Sequence, residues 1–204
     1  MKLRQLAMRL SNLKAHPGNN LDLEQYSITG NLAARWISDI LSFGDINYSS
    51  TVADLGAGNG ILGIGCQLAG AKKSIFFESD SNACKVIKDN LINESLINSA
   101  KVINQHISKD NLPIINSDVI ITNPPWGRQL EKADRPFLDA ILASGKTAHI
   151  LHSSNATHIS KLFENAGWSV EKYGEADFAL PAKYMHHNRQ RDKTIAGFWR
   201  VSKD

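Results

Sequence analysis

The segment Asn123-Pro124-Pro125-Trp126 combines residue types that could bind a planar amine, and it follows an apolar run, Ser117 to Thr122, that is typical of a buried strand. Proline fixes φ and lacks a backbone donor, so two in succession make a rigid turn. The side-chain oxygen of Asn123 and the carbonyl of Pro124 can both accept from one exocyclic amine, while Trp126 offers a face for stacking. We predict a site for an amino-substituted ring; the alternative is a turn that only ends a strand.

A second candidate site lies earlier, where a strand from Val52 ends at Asp54-Leu55 and a helix is predicted from Ile61 to Ala69. Glycines alternate between these elements, at positions 56, 58 and 60, so the backbone can approach a ligand and present amides at a helix N-terminus. The dinucleotide pattern G-x-G-x-x-G also occurs, at positions 58, 60 and 63. Asp54 argues against a dinucleotide because its carboxylate would meet the pyrophosphate. It suits an amino group and a sulfonium, so we predict S-adenosyl-L-methionine, held by Asp54, Gly56 and Gly58.

The next predicted strand, Ser74 to Phe77, ends at Glu78. A carboxylate at this distance from a glycine loop can accept both hydroxyls of a ribose, in nicotinamide sites and in S-adenosylmethionine sites alike. Glu78 therefore indicates a nucleoside without identifying it, and a solvated charge is the alternative. Asp80 is expected in the turn into a helix capped by Ser81.

Helical and strand periodicities alternate along the chain, which predicts an α/β fold with a doubly wound sheet. The leucines at 3, 6, 10 and 13 predict an amphipathic helix that packs on the domain, in preference to an RNA-binding one. We expect one α/β domain, residues 1–204, with helix and loop over 1–20 and the core over 21–204. Further helices are predicted at 31–43, 135–143 and 156–165, and further strands at 147–151, 169–173 and 194–201, the last two forming an antiparallel hairpin.

Composition sets wider bounds: the 204 residues are 42% hydrophobic and 21% charged, which is ordinary for a globular protein. The net charge of +3 is too small to indicate nucleic-acid binding by itself. Cys66 and Cys84 are isolated, so no metal site is expected and free thiols indicate a reducing compartment. Since no apolar run reaches membrane-spanning length and charges come early at the N-terminus, we expect no membrane association and a cytoplasmic location.

The order of these motifs resembles that of the class I adenine-N6 methyltransferases. Within this class the chain is similar, over about residues 20 to 200, to the methyltransferase-like protein five family and its archaeal relatives. The resemblance implies a Rossmann-like class I methyltransferase with a seven-stranded, mostly parallel sheet, a C-terminal antiparallel hairpin and S-adenosyl-L-methionine as cofactor. It further implies methylation of an adenine in small-subunit rRNA, and a small zinc-binding activator protein that pairs along the sheet edge. The segments that carry it are 23–26, 123–127, 151–154 and 180–184.

The resemblance also implies site residues, with two departures. Where the family has a threonine, this chain has Ile28, with Thr29 adjacent; where an acidic residue is expected near the cofactor adenine, it has His106, which is equally consistent with a surface histidine. Gln25 and Tyr26 are expected to close over the methionine end. The complete expected cofactor set is Gln25, Tyr26, Thr29, Asp54, Gly56, Gly58, Glu78, His106, Ile107 and Asn123.

The expected chemistry follows from adenine N6, a poor nucleophile because its lone pair is delocalised into the ring. Acceptors at Asn123 and Pro124 would localise that lone pair, so no catalytic base is required. A base that leaves its stack would regain a partner in Trp126. We expect Asn123, Pro124, Pro125 and Trp126 to be the catalytic residues.

A basic segment lies between the last two predicted strands, and in the expected fold it would lie near the substrate. We predict phosphate contacts there, although a charge run in a loop is often only solvated. Two alternatives to an RNA adenine-N6 methyltransferase remain: a protein glutamine methyltransferase, whose substrate carboxamide fits the same acceptors, and a non-catalytic S-adenosylmethionine- or RNA-binding protein. The expected RNA-binding residues are Lys183, Tyr184, His187, Arg189, Arg191 and Lys193.

Overall fold

The protein is described by a computed structural model over residues 1–18, 28–127, 130–178 and 194–203. These residues form one mixed sheet, whose strands lie in the order β3-β2-β1-β4-β5-β7-β6. Strands β1 to β5 are parallel, whereas β7 is antiparallel to both β5 and β6. This arrangement confirms the predicted fold class and the C-terminal hairpin. The strands are β1 (Thr51–Leu55), β2 (Lys73–Glu78), β3 (Ala100–Asn104), β4 (Val119–Thr122), β5 (Thr147–Ser153), β6 (Ser169–Phe178) and β7 (Thr194–Ser202).

Helices cover both faces of the sheet, because neighbouring strand residues point to opposite sides. Phe76 packs with α1 to α4 on one face, and Phe77 packs with α5 and α6 on the other. Each ring is almost completely buried, which contributes on the order of 2–3 kcal/mol per side chain. None of the described helices has the length and apolar character of a membrane span. The helices are α1 (Leu3–Ser11), α2 (Gly30–Ser42), α3 (Ile61–Ala69), α4 (Ser81–Asn93), α5 (Arg135–Ser144) and α6 (Thr157–Asn165), with a 3₁₀ turn at Ile97–Ser99.

Helix α1 packs on the domain, as predicted. Its residues Leu6 and Leu10 are buried in the core, whereas Leu3 is half exposed. The Nε of Arg9, on its other side, donates to Glu94 at 2.8 Å. The packing interpretation of the N-terminal helix is therefore confirmed.

Some predicted boundaries were wrong. Helix α4 is capped by Asp80, whose carboxylate accepts from the amide of Asn82 at 2.8 Å, so Ser81 is the first helical residue and not the cap. Strands β5 and β6 run on to Ser153 and Phe178, beyond their predicted ends. Pairing with β7 extends them, since it satisfies the backbone groups of both strands.

A buried polar network lies where β5, β6 and β7 meet the first helical layer. His149 Nε2 lies 2.9 Å from Asp45 Oδ2, which also accepts from Arg200 Nε at 2.7 Å. His149 Nδ1 lies 3.0 Å from the hydroxyl of Tyr173, which accepts from the indole of Trp36 at 2.7 Å. Because that hydroxyl accepts from Trp36, its own proton is directed to His149 Nδ1, and His149 donates through Nε2 to Asp45. The network thus fixes a neutral histidine in the sheet.

Candidate active site

Strand order brings the two predicted motifs together. Leu55 and Thr122 are register partners in the adjacent strands β1 and β4, and the hydroxyl of Thr122 donates to the carbonyl of Leu55 at 2.8 Å. Gly56 and Asn123 therefore leave the sheet side by side at its carboxyl edge. Since β1 has β2 on one side and β4 on the other, the connections diverge here, which is where open α/β sheets bind ligands.

A cleft of about 320 Å³ lies at this edge, a size near the lower end for small-molecule sites. Its wall combines the glycine loop, apolar side chains and the Glu78 carboxylate. Apolar walls suit an adenine ring and a carboxylate suits ribose hydroxyls, so these residues fit the nucleoside of S-adenosylmethionine. The wall includes Gly56, Gly58, Ile61, Leu62, Phe77, Glu78, His106, Ile107, Asn123, Pro125 and Phe137.

The Glu78 carboxylate fixes the conformation of the glycine loop through a hydrogen bond. Gly58 has φ +58°, which favours glycine, and its amide donates to Glu78 Oε2 at 2.7 Å. The other carboxylate oxygen accepts from the amide of Asp80 at 2.9 Å. Glu78 is only 6% exposed, so the solvated-charge alternative is wrong. A carboxylate so held keeps a fixed orientation toward the cleft.

Asp54 lies one layer below the cleft, not in its described wall. Its Oδ2 accepts from the amide of Gly63 at 2.9 Å, and its buried Oδ1 has no hydrogen-bond partner among the described residues. Burial raises the pKa of Asp54 to about 7, against the bond from Gly63, and the charge of Glu78 adds to the effect. Its direct contact with the ligand stays a prediction.

Gly63 serves packing in this structure. A Cβ at this position would lie 2.4 Å from the Phe76 ring, so only glycine lets α3 approach β2 closely. Its amide is already bonded to Asp54. The formal dinucleotide pattern therefore ends on a glycine whose amide does not face the ligand.

The position of Trp126 corrects one prediction. Its ring is 7% exposed, stacked on His152 at a centroid distance of 5.7 Å and packed against Phe178 at 4.8 Å. A base cannot stack on a ring so covered unless these neighbours move. The indole Nε1 instead donates to Asn123 Oδ1 at 3.2 Å. In this arrangement Trp126 orients the predicted acceptor of the amine.

Thr29 is a second correction. Its hydroxyl caps α2 by accepting from the amide of Leu32 at 3.3 Å, and a side chain used in this way faces the helix. Ile28, at the departure from the family pattern, lines the cleft in its place. His106 also lines the cleft, and its carbonyl accepts from the Asn111 amide group at 2.9 Å. His106 is exposed whereas Ile107 beside it is buried, so a role of His106 toward the cofactor adenine stays a prediction.

Several residues of the cleft were not singled out from the sequence, among them His16 and Phe137. His16, in the loop after α1, lines the cleft, and its buried Nε2 has no partner among the described residues. Phe137 approaches the glycine loop so closely that a Cβ on Gly56 would lie 3.0 Å from its ring. The sequence signal for either is weak, because one lies in an irregular loop and the other in an ordinary apolar helix pattern.

Other predicted residues lie outside the described part of the chain. These are Gln25 and Tyr26 of the upstream segment, and the basic residues between β6 and β7. Their assigned roles stay predictions. The basic set comprises Lys183, Tyr184, His187, Arg189, Arg191 and Lys193.

Comparison with known proteins agrees with this geometry. The family model of the methyltransferase small domain matches residues 40–154, which span the glycine loop and the Asn-Pro-Pro-Trp turn. An uncharacterized protein of Methanocaldococcus jannaschii is 33% identical over 222 residues, covering 100% of this chain and 95% of that protein. The rRNA N(6)-adenosine-methyltransferase METTL5 of Danio rerio is 28% identical, with 93% of each chain covered.

Among solved structures, one from Pyrococcus horikoshii superimposes with a TM-score of 0.87 at 32% identity, covering 100% of this chain and 98% of that one. That protein's proposed activity is RNA methylation. The predicted resemblance to methyltransferase-like protein five is confirmed by the METTL5 match. By its family match, its fold and its cleft, the chain belongs to the methyltransferase small domain family and uses S-adenosyl-L-methionine as its methyl donor.

Proposed function

We propose that this methyltransferase modifies N6 of an adenine in RNA, and that small-subunit rRNA supplies the adenine. One observation carries the proposal: Asn123 lies in the wall of the same cleft as Gly58 and Glu78. An amine acceptor and the predicted cofactor contacts thus share one cavity, as transfer between two bound molecules requires. We further propose that residues 1–204 act as one catalytic domain.

S-adenosylmethionine supplies a methyl group activated by a sulfonium. The chain's own residues supply acceptors and position. Asn123 Oδ1 and the carbonyl of Pro124 accept the two amine hydrogens and turn the nitrogen lone pair out of conjugation. Both acceptors are fixed, one by the bond from Trp126 and the other by the rigidity of two prolines. The task of the protein is therefore alignment, and no side chain need remove a proton before transfer.

The relatives support the choice of substrate. The matched proteins of Danio rerio and Drosophila melanogaster are both named rRNA N(6)-adenosine-methyltransferases, and each match covers at least 93% of this chain. The basic segment between β6 and β7 follows a strand whose last residue, Phe178, contacts Trp126. The chain thus leaves the sheet beside the catalytic turn, which supports phosphate contacts by that segment.

A protein partner is a further proposal. Strand β3 (Ala100–Asn104) is at the end of the sheet order, with β2 as its neighbour within the described residues. An edge strand can pair with another chain. We propose that this edge receives the small zinc-binding activator protein that the family resemblance implies.

A protein glutamine is the alternative substrate, because its carboxamide offers the same two hydrogens to Asn123 and Pro124. The test uses small-subunit rRNA from a strain lacking the gene, and in parallel a glutamine-containing peptide, each with trideuteromethyl-labelled cofactor. Mass spectrometry of nucleosides should show labelled N6-methyladenosine. Label in the peptide alone would establish the glutamine alternative.

Asn123→Ala is the matched variant for this test. Methyl transfer should fall at least ~100-fold, as for loss of one preorganised polar group in other active sites. Affinity for S-adenosylhomocysteine, measured by calorimetry, should stay within a few-fold of the native value. An active variant would remove Asn123 from the mechanism, and native protein that binds cofactor but labels neither substrate would favour a non-catalytic role.

A further inference from the structure

A cluster of three titratable side chains lies against Trp126. Asp134 immediately precedes α5, His152 is in β5 and His158 is in α6. Asp134 is 4% exposed and His152 is 2% exposed, whereas the His158 side chain is 53% exposed. Asp134 Oδ2 lies 2.5 Å from His158 Nε2 and 3.3 Å from His152 Nε2. One carboxylate therefore holds two imidazoles, and one of them is stacked on Trp126.

The tautomer of His152 can be assigned from its hydrogen bonds. Its Nδ1 accepts from the amide of Ser153 at 2.9 Å, so in the neutral ring the proton is on Nε2. That N–H faces Asp134 at a distance suited to ion pairing, although its angle falls short of a hydrogen bond. Burial alone would raise the pKa of Asp134, but its interactions with the two imidazoles beside it, those of His152 and His158, outweigh burial and hold the pKa below its usual value. The carboxylate is thus ionised and attracts the N–H of His152.

The assignment of the His152 proton to Nε2 argues against a metal ion bound by this cluster. Two histidines and a carboxylate with ligand atoms within 4.8 Å of one another could hold one. A ligating Nε2 must be unprotonated. If Nε2 bound a metal, the single proton of the neutral ring would be on Nδ1. Nδ1 would then face the amide of Ser153 donor against donor and lose the bond it now accepts. The hydrogen-bonded arrangement avoids that cost.

We propose that Asp134 and His152 are positioning residues that fix the plane of Trp126 and, through its indole, the direction of Asn123 Oδ1. Asp134 holds the imidazole, the imidazole stacks on the indole at an interplanar angle of 23°, and the indole N–H donates to Asn123. The consequence is specific because the two ends of an asparagine amide differ. An indole donor selects the oxygen end at that position, whereas a flipped amide would present donors to an amine that also donates.

The catalytic part of this inference rests on the proposed function. The chain of contacts from Asp134 through His152 and Trp126 to Asn123, called the relay below, does not. The test therefore has a readout without substrate, the hydrogen exchange of the Trp126 indole N–H. Protein labelled with ¹⁵N-tryptophan gives one indole signal for each of the four tryptophans, and Trp126→Phe identifies the signal of interest. The variants are His152→Phe, which keeps a ring but loses the donor, and Asp134→Asn, which removes the charge.

The matched control is His149→Phe. His149 is on the same strand and is also buried against a carboxylate, but its ring contacts Asp45, Tyr173 and Phe43 rather than Trp126. Its loss should destabilise the protein without changing the relay. We expect the hydrogen-exchange rate of the Trp126 indole N–H to rise about tenfold or more in both relay variants, because the indole is no longer held by the imidazole. In the control the rate should equal that of the native protein.

Kinetics supply the second readout. Single-turnover methyl transfer should fall about 10- to 100-fold in both relay variants, as for a misplaced catalytic group, while affinity for S-adenosylhomocysteine changes less than twofold. Native exchange in both variants would overturn the relay whatever the substrate is. So would a stoichiometric metal ion in purified protein that is lost in His158→Ala. Native protein that transfers no methyl group would refute the proposed function, while the exchange result would still decide the relay.

Discussion

The amide of Gly58 donates to the carboxylate of Glu78 at 2.7 Å, across the end of strand β2. Two motifs that are twenty residues apart in the chain therefore form one unit of the cleft. A ligand that bonds to Glu78 meets a carboxylate whose direction is already set, so little ordering is needed on binding.

Glu78→Gln should weaken binding of S-adenosylhomocysteine by about 1.5–3 kcal/mol, or roughly 10- to 100-fold, because bonds to a charged acceptor are lost. The NH2 group of the glutamine would also face the backbone amide of either Gly58 or Asp80, donor against donor. Calorimetry measures the change. Asp80→Asn is the control, because asparagine preserves the cap of α4. If the control loses affinity and Glu78→Gln does not, the ribose contact belongs to Asp80.

Cofactor affinity should depend on pH through Asp54, whose pKa burial raises to about 7. A cationic ligand favours the carboxylate, so affinity should increase as pH rises from 6 to 8, by about tenfold if binding fully ionises the group. Asp54→Asn should remove this dependence. Calorimetry across pH tests it, with His16→Gln and His106→Gln as controls for the two histidines of the cleft. Equal pH profiles for native protein and Asp54→Asn would contradict the role.

The network around His149 should make the protein sensitive to acid. Burial lowers the pKa of His149 despite the bond to Asp45, so its contribution to stability is present above the unfolded pKa of 6.5 and is lost as pH falls below it. The pKa of Asp45 is held low by bonds from Arg200 and His149, which outweigh burial; its contribution is lost only below its unfolded value of 3.8.

His149→Phe should therefore lower the free energy of unfolding at pH 7 by about 1–3 kcal/mol and flatten its decline between pH 7 and 5. Urea denaturation at several pH values measures both effects. Ile150→Val on the same strand supplies the control, since the loss of one buried methylene should lower stability without changing its pH dependence. An unchanged slope in His149→Phe would assign the acid sensitivity to another group.

RNA binding should depend on the basic segment between β6 and β7. If Lys183, Arg189, Arg191 and Lys193 contact phosphates, log affinity should fall with log salt at a slope of a few, and each charge removed should reduce the slope by about 0.7 to 0.9. Binding of a small-subunit rRNA fragment is measured across salt for native protein and for the Arg189→Ala, Arg191→Ala double variant. Cofactor affinity is the control and should not respond. Identical slopes would leave the segment solvated and favour a protein substrate.

The fold was predictable because local patterns and global order agree. The strand before Asp54 and the strand before Asn123 are apolar and short, and glycines or prolines follow each. Such signals predict parallel strands that end at one edge, and the register of Leu55 with Thr122 is what that expectation requires. Motifs at strand ends are the part of a site that sequence can place, since the sheet positions them.

The residues that pack behind the site could not be predicted in this way. Trp126 carries a signal for stacking, but its neighbours His152 and Phe178 come from β5 and β6, and only the tertiary fold decides that they cover it. Asp54 shows the same limit. Its acidity and spacing indicated ligand contact, whereas its depth below the cleft depends on how closely α3 approaches β2.

Strand β7 lies between β5 and β6, although β6 precedes it in the chain. During synthesis the ribosome therefore delivers β6 before the strand to which it must pair. Until β7 emerges, β5 is an open edge of the sheet and β6 lacks the strand to which it pairs. Pairing with β7 thus completes the sheet and holds β6 in place, so that its last residue, Phe178, packs against Trp126 behind the Asn-Pro-Pro-Trp turn.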